Sequence, residues 1–198
     1  MMISGEIPPQ LSPPQRRELT RRSRGEMHRW HHYLLHGIYA ALYAPVKYMA
    51  FPFFNYLRFA VLKLFSPGIH STYISDGVHI WFPWRVTIGR RSSLNQGIII
   101  DGFGGVSIGE NVRIAAYTVI STADHDFSDP SKPIVEQGFV TAPVYIEDDV
   151  WIGTGAIINK GVRIGRGSVV GAGSVVTRDV PPQSIAVGSP CRVIRKRE

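Results

Sequence analysis

His125 is the only histidine after His79, and it lies in the triplet Asp124-His125-Asp126. An imidazole with an ordinary pKa of about 6.5 can take a proton from a hydroxyl near neutral pH, provided its second nitrogen is held by a carboxylate or carbonyl. The same triplet suits a solvated loop, and Asp124 and Asp126 read first as solvated acids. Three more histidines, His28, His32 and His36, recur at i, i+4 and i+8. On a helix they share one side, which could hold a metal or form a face at an interface. The single cysteine, Cys191, excludes a disulfide framework and a cysteine-rich zinc module, and without a nearby base it reads as a small packing residue.

A repeat must position His125. Aliphatic residues recur at Ile88, Leu94 and Ile100, at Ile108, Ile114 and Ile120, and from Ile146 through Ile152, Ile158, Ile164 and Val170 to Val176. The step is six within each group, and a small or apolar series runs two residues earlier, from Val86 to Ser174. Six residues leave no constant helical face, whereas six is a multiple of the strand period and keeps one side inward. The residue after each aliphatic is Gly, Asn or Asp in eight of twelve cases, and it is expected to take left-handed backbone angles at a sharp corner. Each hexad is therefore a short strand and a corner. Stacked hexads form a β-solenoid whose strands pair about 4.8 Å apart. An antiparallel sandwich would require hairpin dipeptides and turn signals every 8 to about 12 residues, which this stretch lacks.

Two steps break the count. Ile100 to Ile108 is eight residues, a bulge containing Gly102, Gly104 and Gly105; Ile120 to Ile146 is 26 residues and predicts an extruded loop at 122–143 that carries His125.

The first third of the chain has a different texture. Residues 1–66 hold nine basic and three acidic residues, a net +6 of the total +7. Residues 1–28 are rich in Pro and Arg, a basic segment expected to be flexible, and 29–66 are aromatic with helical periodicity. One amphipathic helix is expected, bent or broken near Pro45, with Leu34, Ile38, Leu42 and Met49 near one face and His28, His32, His36, Tyr43 and Lys47 on another. A second helix, Phe53 to Phe65, is apolar almost all round. The longest uncharged run, Trp30 to Val46, is 17 residues with three histidines and Pro45, short of a membrane span. No small-residue cleavage site follows a compact apolar core, so a signal peptide is not expected. Either these helices lie on the inner leaflet with Arg16 to Arg29 near anionic headgroups, or they cap the solenoid or pack between subunits. Residues 67–180 are assigned to the solenoid and 181–198 to a terminal segment.

The run Val150-Trp151-Ile152-Gly153, then Gly161-Val162-Arg163-Ile164-Gly165, then Val170 to Thr177, then Gly188-Ser189-Pro190-Cys191-Arg192-Val193-Ile194-Arg195 resembles the hexapeptide-repeat acyltransferases. Over about Asn95 to Arg197 the sequence is similar to the galactoside and maltose O-acetyltransferases, with nodulation-factor and exopolysaccharide acetyltransferases beside them. The resemblance implies a mainly β fold, a left-handed parallel β-helix with an N-terminal helical segment, assembled as a homotrimer and using acetyl-coenzyme A without a metal. Handedness comes only from the family, since the general preference for right-handed crossovers points the other way.

Site residues follow from the same resemblance. His125 matches the catalytic histidine of the loop ahead of Val-Trp-Ile-Gly. Asn95, after Leu94, matches an oxyanion donor, although its spacing to the next motif differs slightly and a corner role stays open. Asp101 matches an acidic contact to the sugar acceptor, or is a corner. Trp151 matches a tryptophan near the acyl site, or packs. Thr154 and Ala172, through backbone amides, then Thr177, Arg178, Arg192 and Arg195 match coenzyme positions; arginine forks suit phosphates, while Arg195 to Arg197 also read as an ordinary basic terminus. Gly188-Ser189-Pro190-Cys191 departs from the family's Gly-Asn-Pro-Ala.

The expected activity is acetyl-coenzyme A-dependent O-acetylation of a sugar hydroxyl in polysaccharide or glycolipid biosynthesis. The expected place is the cytoplasm, peripherally at the membrane where the helices bind it. The alternatives are N-acetylation of an amino-sugar nucleotide and a non-catalytic scaffold. Zinc hydration of carbon dioxide would need three imidazoles on neighbouring coils, where this chain has one, and no nucleic-acid-binding motif is present.

Overall fold

The computed structural model describes residues 21–23, 30–70 and 72–198. His28 and most of the basic segment lie outside the described residues.

Strands of two to four residues stack in parallel into three sheets, forming a β-helix with three faces. Face one holds Val86–Ile88, Val106–Ile108, Val144–Ile146 and Arg163–Ile164 in register. Face two runs from Tyr73–Ile74 through Ser93–Leu94, Arg113–Ile114, Trp151–Ile152 and Val169–Val170 to Ser184–Val187. Face three stacks His79–Trp81, Ile99–Asp101, Val119–Ile120, Ile157–Ile158 and Val175–Val176. Every hexad aliphatic from Ile88 to Val176 is buried, and so is the series two residues earlier. That second series includes hydroxyls, and these are satisfied: Ser92 Oγ donates to the Gly109 carbonyl at 2.8 Å and Thr118 Oγ1 to Ala115 at 2.9 Å. Burying each Ile contributes about 1.5–3 kcal/mol, so the repeat itself is the core.

The small residue after each aliphatic is not the left-handed one. Its N–H still pairs with the next coil, as from Gly89 to Ile108 and from Asn95 to Ile114, so the backbone there is still in its ladder. Positive φ comes three residues after the aliphatic, at Arg91, Gly97, Asn111, Asp149 and Gly155 among others. Two glycines separate the two demands. A Cβ on Gly109 would lie 2.3 Å from Asp148 Oδ1 and 2.7 Å from the Asp148 nitrogen, a close approach between coils. At Gly155 a Cβ would meet nothing within 4 Å, and only φ +67° calls for glycine.

The stack begins before the hexads recognised in the sequence. Ile69 bridges to Ile88, and Ile74 and Ile80 are fully buried in a first coil. On it sit two helices, α1 (Trp30–Lys47) and α2 (Phe53–Phe65). Pro45 does not break α1; the Ala41 carbonyl that loses its N–H partner is on the exposed side, within reach of water. Tyr39, Tyr43 and Leu62 join the solenoid core. Arg58, 1% exposed, fastens the joint: Nε donates to the Ile74 carbonyl at 2.9 Å, and Nη1 to Val46 and Met49 at 2.9 and 2.8 Å. The helices therefore pack on the solenoid with one side and leave the other open.

Candidate active site

The irregular steps all fall at one corner, where face three turns into face one. The first coil crosses it in a 3-10 turn, Pro83–Arg85, with Phe82 at φ 53°. The second crosses it through Gly102 to Gly105, and the third extrudes residues 121–143. The loop is a hairpin: Ala123–His125 pairs antiparallel with Phe139–Thr141, and Arg21–Ser23 adds a third strand outside it. Gln137, buried, staples the loop, accepting from the Asp129 N–H and donating to the Asp129 and Lys132 carbonyls, all at 2.9 Å. Asp126 is buried too and accepts the Ser128 N–H at 3.0 Å, while Asp124 forms an ion pair with Lys160 of the next coil. Neither acid is simply solvated.

Stacked irregular corners open a cleft of about 670 Å³. His125 lies on one wall, its ring 4.6 Å from that of Phe139. Asp101 lines the same cleft; Oδ1 accepts the Phe103 N–H at 3.0 Å, and the Asp101 carbonyl accepts Thr122 Oγ1 at 2.8 Å. The remaining lining is largely aromatic, with Trp81, Phe82 and Phe103, and α1 closes one side with His32, Tyr33 and His36. His36 Nε2 accepts the Phe82 N–H at 3.2 Å, which leaves Nδ1 as the proton carrier of the neutral ring. Burial, with the nearby His32 second, pushes the His36 pKa below the usual histidine value. The His32–His36 side of α1 is thus a packing face against the solenoid.

The remaining sequence-derived residues lie elsewhere on the single chain. Asn95, Thr154 and Ala172 are exposed and stacked along the corner between faces two and three. The Thr154 carbonyl accepts the Gly173 N–H at 2.8 Å. Thr177 and Arg178 are exposed on the same corner as the loop, two coils further along. Trp151 is 55% exposed on face two and is not a core packing residue of this chain. Arg192 and Arg195 are exposed on the final strand, Arg192–Lys196, which pairs antiparallel with Ser184–Val187. One chain therefore brings together His125 and Asp101, and keeps Asn95, Thr154 and Ala172 on the far side of face three.

Sequence reasoning missed the cleft's other walls. The Ile80 to Ile88 step is eight, the same as Ile100 to Ile108, and would have revealed that the irregular corners stack. The histidine spacing on α1 marked the correct helix face without showing what it met.

The bacterial transferase hexapeptide (six repeats) family matches residues 143–178. Galactoside O-acetyltransferase of Escherichia coli is 35% identical over 136 residues, covering 69% of this chain and 66% of that protein. A solved hexapeptide-repeat acetyltransferase from Vibrio cholerae, complexed with acetyl-coenzyme A, superposes with a TM-score of 0.79 at 27% identity, covering 92% of this chain and 97% of that one. A maltose O-acetyltransferase from Clostridium difficile gives 0.77 at 29% identity, covering 87% and 91%. The chain belongs to the hexapeptide-repeat acetyltransferases, the acetyl-coenzyme A-dependent acyltransferases of the galactoside and maltose O-acetyltransferase type. It spans about two thirds of the length of the E. coli relative.

Proposed function

We propose that this protein transfers the acetyl group of acetyl-coenzyme A to a sugar hydroxyl, with His125 as general base, at a site shared between copies of a homotrimer. His125 takes the acceptor's proton as its oxygen attacks the thioester carbonyl. Asn95 of an adjacent copy meets the oxyanion, and collapse expels coenzyme A as a thiolate that recovers the proton from the imidazolium. Asp101 accepts from a second acceptor hydroxyl. Trp151 borders the acyl group, and Thr154, Ala172, Thr177, Arg178, Arg192 and Arg195 line the coenzyme's path. The setting is cytoplasmic, in the biosynthesis of a polysaccharide or glycolipid, with peripheral contact to the membrane.

The observation that carries this reading is the layout of face three. Its outward side chains include Trp81, Ile99 and Ile157, at 49, 43 and 39% exposure, an apolar strip that a second copy would cover. The strip is bordered on one side by the His125 cleft and on the other by Asn95, Thr154 and Ala172, so packing there joins base to oxyanion donor.

Coenzyme A release over a panel of sugar acceptors tests the chemistry. His125→Ala should lower turnover by about 10²–10⁴-fold with coenzyme affinity unchanged. Full activity in that variant removes the base. Mixing His125→Ala with Asn95→Ala subunits tests the shared site: the mixture should regain activity that neither variant has alone, and no recovery opposes the trimer.

A further inference from the structure

The helices of this chain bury one mixed side on the solenoid and turn a largely apolar side outward. On α1 the buried or half-buried side carries His32, His36, Tyr39, Tyr43 and Lys47, while Trp30, Leu34, Ile38 and Leu42 face outward at 48 to 76% exposure. On α2, Leu62, Phe59, Val61 and Phe65 pack inward, yet apolar residues also remain outside. Asn55 and Arg58 are buried, and Phe53, Tyr56 and Leu64 are 55, 74 and 73% exposed. The connector adds Tyr48, Met49 and Phe51, all exposed. Covering these outward side chains would gain about 1.5–3 kcal/mol for each one buried.

Charge singles out the occupant of this surface. No Asp or Glu occurs from residue 27 to residue 75. The three fixed cations of the two helices are engaged by the protein: Arg58 is buried, Lys47 Nζ lies 2.9 Å from His79 Nδ1, and Lys63 Nζ donates to the Pro67 and Ile69 carbonyls at 2.6 Å. What faces outward is apolar and aromatic, with no ion pattern to fix a register against another protein. Six arginines immediately precede it, at positions 16, 17, 21, 22, 24 and 29. No helix among the described residues is long and apolar enough to cross a membrane. Apolar residues with aromatic ones among them, beside a basic segment and without carboxylates, fit an anionic bilayer surface.

We propose that the outward side of α1 and α2 lies on an anionic lipid bilayer, and that the cleft takes its acceptor from that bilayer, a saccharide carried on a lipid. Resting on the acetyltransferase reading, the second half follows from continuity. Tyr33 is 58% exposed and also lines the His125 cleft, and the backbone at Arg21–Ser23 pairs onto the hairpin that carries His125. The reacting site therefore opens beside the proposed lipid contact.

The full chain is cosedimented with vesicles of phosphatidylcholine, with and without phosphatidylglycerol. Binding is expected with the anionic lipid, and Ile38→Glu with Leu42→Glu should weaken it by at least about tenfold. These side chains are 48 and 49% exposed and lie outside the cleft, so the melting temperature and coenzyme affinity should not change. No vesicle binding by the wild type, or equal binding by the variant, overturns the docking. So does a fall in assembly mass by light scattering on substitution, which would assign the face to a second copy. Coenzyme A release is then compared with dodecyl galactoside in the vesicles and methyl galactoside in solution. A higher rate with the former, lost in the double variant, is expected; equal rates, zero included, overturn the lipid-borne acceptor. Failure of the acetyltransferase reading shows separately, as release that survives His125→Ala.

Discussion

The last coils and the first three share a core but differ at one corner. From Ile158 to Ile164 the chain passes from face three to face one in six residues; from Ile80, Ile100 and Ile120 it takes eight, eight and 26. The irregular coils depart from the six-residue step on that single edge, and there the cleft, His125 and Asp101 appear. Because both kinds of coil bury the same two inward series, an edge can be remodelled without disturbing the interior. Damage to the interior should therefore register as lost stability, and damage to the irregular corner as lost turnover.

The largest break in that comparison should come from the interior. Ile158→Ala, at a fully buried position, is expected to cost about 2–5 kcal/mol, read by chemical denaturation, with turnover per folded molecule unchanged. Arg58→Met should follow at about 3 kcal/mol, because it strands the Ile74, Val46 and Met49 carbonyls. At the corner, Gln137→Ala should loosen the hairpin that carries His125. Turnover should fall about tenfold while stability moves by only about 1 kcal/mol; the reverse split would erase the distinction between edge and interior. The smallest effect concerns pH. His36 and His79 are both held below the usual histidine pKa, first by burial and then by neighbouring His32 in one case and Lys47 in the other. The unfolded chain binds more protons in that window, so the stability they contribute is present above about pH 6.5 and is lost as pH falls through the folded values. Melting curves should show a lower midpoint at pH 5.5 than at about pH 7.5, and His36→Gln should flatten that slope.

The inward face of the solenoid was legible because hydrophobic burial writes itself into sequence at the strand period, and Ile88 to Val176 carry it without exception. Left-handed backbone was placed two residues too early. Gly89 and Gly109 are small for reasons of contact between coils, which composition alone does not separate from φ preference. The cleft was half legible: His125 and the long loop stood out locally, whereas Trp81, Phe82 and Phe103 reach it only because coils of about 20 residues stack their corners, a relation between distant positions. The helices were located correctly, but their orientation was not readable, because polarity marks two faces and packing decides which one turns inward. Here Arg58 lies on the inward side with Tyr39, Tyr43 and Leu62, its guanidinium donating to the Ile74, Val46 and Met49 carbonyls.

The reversed final strand has a consequence of its own. Every coil offers the next a row of unmet amides and carbonyls, so a stack of this kind contains no instruction to stop, and bare ends would invite chain-to-chain growth. Arg192–Lys196 runs against Ser184–Val187 and fills that row on face two with a positively charged segment, while the helices occupy the opposite terminus. Two unlike plugs, one basic and one greasy, set the number of coils and keep a self-templating architecture finite.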